Sequence, residues 1–261
     1  MFPGVLARGE RGTLLALAAL AALSWLAILY QWHAMGCRMC GGMSVACPMC
    51  MGTGKAFWLV LPSFLGMWST MMAAMMIPAV TPMVLLFARF SRTREPEKGE
   101  SLKWLFISGY FLAWALTGFA AFAAVRLIQT LLAARPALTA YGDLSAAAVL
   151  VAAGLYQWSP FKDRCLEHCR SPLEFLAEHW REGPWGALRT GHWHALYCIG
   201  CCWGIMLVMF GVGLMNLAWM VALTAVMSAE KMIPRGALVG RLAGVVFVFF
   251  GLFFAFRFFA A

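Results

Sequence analysis

The feature that most constrains this chain is a series of apolar runs with almost no charge, several of them near the roughly 20 residues that a membrane-spanning helix requires. A span must satisfy its backbone polar groups internally. The runs lack the short alternation of barrel strands, so they read as helices. Composition agrees: 63% of the 261 residues are hydrophobic and 12% are charged, with a mean hydropathy of +0.79. A soluble domain of this length has no interior large enough for that much apolar surface. The expected fold class is therefore all-α, a polytopic transmembrane helix bundle contacting the lipid bilayer. The net charge of +9 fits basic cytoplasmic loops. No aromatic-basic motif for nucleic acid accompanies it.

Arg8 and Arg11 lead into a first apolar run from about Thr13 to Trp32, which resembles a signal peptide but is long for one. We read it as a retained helix. A Cys, Met and Gly-rich segment, residues 34–55, separates it from a second helix at about Phe57 to Phe87, broken or kinked near Pro78 and Pro82. A third helix is expected at about Lys103 to Leu132 and a fourth at about Leu144 to Trp158. Residues 159–190 form the longest polar segment. Within it Pro160 and Pro172 bracket a short helix, and Glu174 to Trp180 has the mixed character of an interfacial amphipathic helix. The run from His194 to Ala229 is 36 residues, too long for one ordinary span. A hairpin turning near Gly211 to Asn216 places more of the 20 basic residues on the inner side, so it is favoured. With a last helix at about Gly236 to Phe258, the expectation is about seven spans, six as the alternative. The N-terminus and the 159–190 segment would then be cytoplasmic and the 34–55 loop external, in a bacterial inner membrane.

Nine Cys and 18 Met are the second unusual feature. Met is an adaptable apolar filler, so most need no function. The cysteines cluster. Cys37 and Cys40, then Cys47 and Cys50, form two C-x-x-C pairs six residues apart, with five Met among and beside them. That spacing presents two sulfurs to one ion, and thioethers favour copper(I) over zinc. A pair of disulfides in an oxidising loop is the competing reading. In the second helix Met67, Met71 and Met75 stand four apart, with Met72 and Met76 as a parallel pair, so the thioethers share faces. The same spacing occurs in eukaryotic copper transporters; helix packing or lipid contact would also account for it. A second cluster flanks the polar segment: Cys165 and Cys169 on one side, and His194, Cys198, Cys201 and Cys202 on the other. Singly, each reads as a buried small hydrophobe or a polar helix start. Together they suggest a metal or thiol site.

Several motifs resemble a bacterial family known as predicted metal-binding integral membrane proteins, a domain of unknown function. They are Trp68-x-x-Met71-x-x-Ala74-Met75-Met76-x-Pro78-x-x-x-Pro82, Tyr156-Gln157-x-x-Pro160-x-Lys162-x-x-Cys165-Leu166-x-x-Cys169-Arg170-x-Pro172, His194-x-x-x-Cys198-x-Gly200-Cys201-Cys202-Trp203, Met215-Asn216-Leu217-x-Trp219-Met220 and Glu230-Lys231-x-x-Pro234. The resemblance runs from about Trp68 to Gly251 and implies metal binding. The doubled C-x-x-C loop is an addition to that pattern. Asn216, Glu230 and Lys231 are costly in or beside an apolar span and need partners.

The leading expectation is copper(I) handling, with zinc as the alternative ion. The outer loop would capture the ion, the Met ladder would offer intermediate contacts, and the inner Cys/His cluster would hold it. A metal donor or acceptor protein, or a larger membrane enzyme complex, would be the partner. A membrane thiol-disulfide oxidoreductase is the second reading and an accessory subunit the third. No Ser-His-Asp set, paired carboxylates or phosphate loop points to a hydrolase or NTPase.

Overall fold

A computed structural model of the chain describes residues 8–34, 57–212 and 216–260. Its regular elements there are all helical: α1 (Arg8–Ala34), α2 (Phe57–Arg94), α3 (Gly99–Ala134), a 3-10 turn (Pro136–Tyr141), α4 (Gly142–Tyr156), α5 (Pro160–Arg170), α6 (Pro172–His179), α7 (Gly183–Val212), α8 (Leu217–Met232) and α9 (Gly236–Ala260). The 34–55 loop, with Cys37, Cys40, Cys47 and Cys50, lies outside the described residues from position 35 onward.

Five of these helices are long and apolar enough to cross a membrane: α1, α2, α3, α7 and α9. Helices α4 and α5 meet at 62°, and together they make a sixth candidate. Helix α8 is what separates this count from the expected seven. Its 16 residues rise about 24 Å at 1.5 Å each, short of a hydrocarbon core about 30 Å thick.

Local sequence explains the boundaries. Pro160 and Pro172 occupy the first turns of α5 and α6, where a missing N–H costs nothing. Ser159 caps α5, its Oγ accepting from Phe161 N at 3.2 Å. Asn216 caps α8, its Oδ1 accepting from Trp219 N at 3.3 Å. Helix α2 is not broken at Pro78 or Pro82; it continues through both and through Pro62. Helix α7 starts at Gly183, 11 residues before the expected His194, at a backbone position with φ of 76° that suits glycine.

Helix α7 is the axis of the bundle. It packs against α3 so closely that a Cβ at Gly191 would lie 2.0 Å from Phe106 O, and one at Gly109 2.1 Å from Leu188 O. Small residues permit such backbone contact where lipid supplies no hydrophobic drive. Helix α5 lies on α7, α1 and α3 flank α2, and α9 pairs with α4. The outer faces of α1 and α9 expose Leu15, Leu23, Phe249 and Phe256, an apolar surface suited to lipid. At one end of α1 a polar knot ties three helices: Glu10 pairs with Arg89, and Lys103 donates to Thr13 Oγ1 at 2.9 Å and Glu100 Oε2 at 2.5 Å.

Candidate metal centre

Residues three and four apart lie on one face of a helix. On α7 this brings Cys198, Cys201 and Cys202 to the interior, 0%, 1% and 1% exposed. Their sulfurs all lie within 4.8 Å of one another. The Cys198–Cys202 and Cys201–Cys202 separations are 3.8 and 3.6 Å, and the thiols of Cys201 and Cys202 both donate to Cys198 O. All three are free thiols.

Four neighbouring helices complete the cluster. Helix α5 brings Cys169 Sγ to 3.8 Å from Cys201 Sγ, and α2 brings Met76 Sδ to 3.9 Å from Cys198 Sγ. Helix α3 contributes Tyr110, whose hydroxyl is 2.9 Å from Cys198 Sγ. Helix α8 contributes Lys231, whose Nζ donates to Cys198 Sγ at 2.8 Å and lies 3.7 Å from Cys202 Sγ. Lys231 thus shows that α8 folds back alongside α7, as the hairpin reading expected. An ammonium has only donors, so sulfur is the acceptor, and the pair is charge-complementary when Cys198 is a thiolate.

The spacing fits a shared ion. Two sulfurs each about 2.3 Å from one tetrahedral ion stand about 3.8 Å apart, close to the Cys198–Cys202, Cys201–Cys202 and Cys169–Cys201 separations of 3.8, 3.6 and 3.8 Å. A disulfide would need about 2.05 Å. Thiolates joined by a thioether select soft cations.

The other sequence-derived candidates divide. Cys165, one turn before Cys169, directs its sulfur at Gly200, 2.6 Å from where a Cβ would be. His194 is buried one turn before Cys198, its ring among Phe106, Tyr110 and Phe175. Its Nδ1 has no hydrogen-bond partner among the described residues. Met67, Met71 and Met75, with Met72, are buried in the core, so lipid contact does not account for them. Of that stripe it is Met76 that touches a cysteine sulfur. Tyr110, Met76 and Lys231 were not among the candidate ligands. Lys231 carried a signal as a cation beside an apolar run, and Met76 as part of the parallel Met pair; Tyr110 carried none.

A second buried polar group adjoins the first. Lys162 donates to Glu230 Oε1 at 2.6 Å and to Gln157 Oε1, with both charged side chains 1% exposed. Gly240 on α9 makes room for it: a Cβ there would lie 2.5 Å from Glu230 Oε1.

The long apolar helices of this bundle suggest a membrane protein, and its nest of buried thiols fits a soft metal such as copper. A family model, PpoB2, described as a copper chaperone, matches residues 65–254. That is most of the chain, which therefore belongs to this copper chaperone family. The match contains every motif quoted above and leaves the doubled C-x-x-C loop outside. No curated protein and no solved structure matches the chain.

Proposed function

We propose that this protein is a membrane-embedded copper(I) chaperone whose cargo is held by Cys198, Cys201 and Cys202, with Cys169 and Met76 as the flanking sulfurs. The observation that carries this reading is the set of three buried thiols on one face of α7, within 4.8 Å of one another, met by a fourth thiol and a thioether from other helices. Copper(I) accepts low coordination numbers and thioether donors, which zinc does not favour. The buried His194 Nδ1 is a further donor atom beside the cluster.

Exposure suggests the direction of traffic. Cys169 is partly exposed while the α7 thiols are sealed, so Cys169 is the sulfur through which copper exchanges with a donor or acceptor protein. Met67, Met71 and Met75 lead along α2 toward Met76, a rise of about 14 Å over nine residues. Met67 stands ten residues beyond Phe57, so the stripe covers the inner part of the way along α2 from the 34–55 loop to the centre. In this reading Cys37, Cys40, Cys47 and Cys50 collect copper outside an inner membrane, and the α7 centre presents it toward the cytoplasmic 159–190 segment. Delivery is passive, by sulfur-to-sulfur exchange.

The test is copper(I) binding to reduced, detergent-purified protein, measured by competition with a copper(I) chelator and by X-ray absorption for sulfur ligands. In a chain carrying Cys37→Ser, Cys40→Ser, Cys47→Ser and Cys50→Ser, which removes the loop thiols, we expect one tightly held copper at the centre, lost on adding Cys198→Ser and retained on adding Cys165→Ser. Undiminished affinity on adding Cys198→Ser, or no copper in the wild type, would sink the reading.

A further inference from the structure

Copper binding accounts for the sulfurs of the centre and leaves Lys231 without a role. Its Nζ sits against the two sulfurs, Cys198 and Cys202, that an ion would use. A protonated lysine has no lone pair to offer a metal, so it is not a ligand. Its chain neighbour does not neutralise it. Adjacent helical residues point about 100° apart, and Glu230 is already engaged by Lys162 at 2.6 Å. A positive charge is therefore held at the mouth of a cation site.

An ion about 2.3 Å from Cys198 Sγ is at most about 5 Å from Lys231 Nζ, because the second leg of that path is 2.8 Å. Screening between partly buried charges at this distance is weak, and the repulsion grows in proportion to the charge on the ion. A divalent ion meets twice the opposition that a monovalent ion meets. Thiolate softness does not make this distinction, since thiolates also hold zinc(II) tightly.

We infer that Lys231 is a charge filter that biases the centre toward monovalent soft cations, copper(I) and silver(I), and against divalent ones, zinc(II) and cadmium(II). It determines specificity without touching the ion. The thiols supply softness, and the lysine supplies the discrimination by charge. The inference rests on the reading that the α7 cysteines hold the cargo.

Silver(I) and cadmium(II) are the probes, because neither changes oxidation state with thiols. The quantity measured is the ratio of their dissociation constants on the full-length reduced chain carrying Cys37→Ser, Cys40→Ser, Cys47→Ser and Cys50→Ser, so that the loop thiols do not compete, in one buffer. A ratio cancels any difference in the fraction of competent protein, and the protons released with each ion, measured alongside, correct for any difference in the number of thiolates it takes. Lys231→Met should shift the ratio toward cadmium by at least about fivefold, and Lys231→Arg should keep the wild-type ratio. A shift below fivefold in Lys231→Met overturns the filter. So does an equal shift in Lys231→Arg, which would assign the effect to side-chain shape. If Lys231→Met does not fold, Lys231→Gln removes the charge while keeping an N–H donor and is judged by the same threshold. Wild-type protein that fails to bind silver(I) or copper(I) at all would overturn the proposed function itself. Binding with an unchanged ratio overturns only the filter.

Discussion

Two lysines close to the end of α8 show how differently one bundle can treat the same side chain. Lys162 faces a carboxylate and an amide oxygen, with the pair 1% exposed on both sides. Lys231 faces two sulfurs and is only partly buried. The acidic groups meeting them, Glu230 and Cys198, differ in one decisive respect: a carboxylate locked to an ammonium stays as it is, while a sulfur remains available to a soft metal. The first arrangement is closed and structural. The second is a pairing that a cation can enter. Glu230 and Lys231 are consecutive residues, so the last turn of α8 serves both.

Removing one side of the closed pair should give the largest effect. Glu230→Ala leaves Lys162 buried without its carboxylate, a loss of about 3–5 kcal/mol, read as a lowered melting temperature in detergent. Replacing Lys162 and Glu230 together by Met should recover most of it. A melting temperature unchanged in Glu230→Ala would erase the contrast between the two lysines.

Cys198→Ser comes next and acts on the other region. Copper(I) affinity should fall by more than about 100-fold, since losing even a supporting group around a metal costs 10- to 100-fold. The melting temperature of the metal-free protein should move little. Gly240→Ala should then cost about 1–3 kcal/mol of stability, because its Cβ would press on Glu230 Oε1 at 2.5 Å and Lys162 Nζ at 3.1 Å. Copper affinity should be nearly unchanged. Met76→Leu is the smallest. Volume is conserved, so stability changes by less than about 1.5 kcal/mol, while chelator competition should show a several-fold weaker copper(I) affinity.

The helices were legible because apolar runs declare themselves, and the division between α7 and α8 because a 36-residue run exceeds any ordinary span. The start of α7 was not, since Arg189 and His192 make its first turns look like loop. The three α7 cysteines were legible from their spacing alone. The division between Cys165 and Cys169 was hidden: they are four apart, yet one packs on Gly200 and the other meets Cys201. The partners of Cys198 were hidden for a different reason. Tyr110, Met76 and Lys231 reach it across 88, 122 and 33 residues of chain, and only the packing of separate helices joins them.

Gly200 has a consequence for how many sulfurs the centre commands. With hydrogen in place of a side chain, α5 seats its Cys165 sulfur in the notch at position 200, and Cys169 one turn later arrives within 3.8 Å of Cys201. An added methyl group would meet the Cys165 sulfur at 2.6 Å and its Cβ at 3.3 Å, so either that side chain turns aside or α5 shifts and carries Cys169 with it, while the three thiols of α7, fixed to one backbone, stay in register. The denticity of the proposed centre, four thiols or three, would then turn on an atom the protein omits.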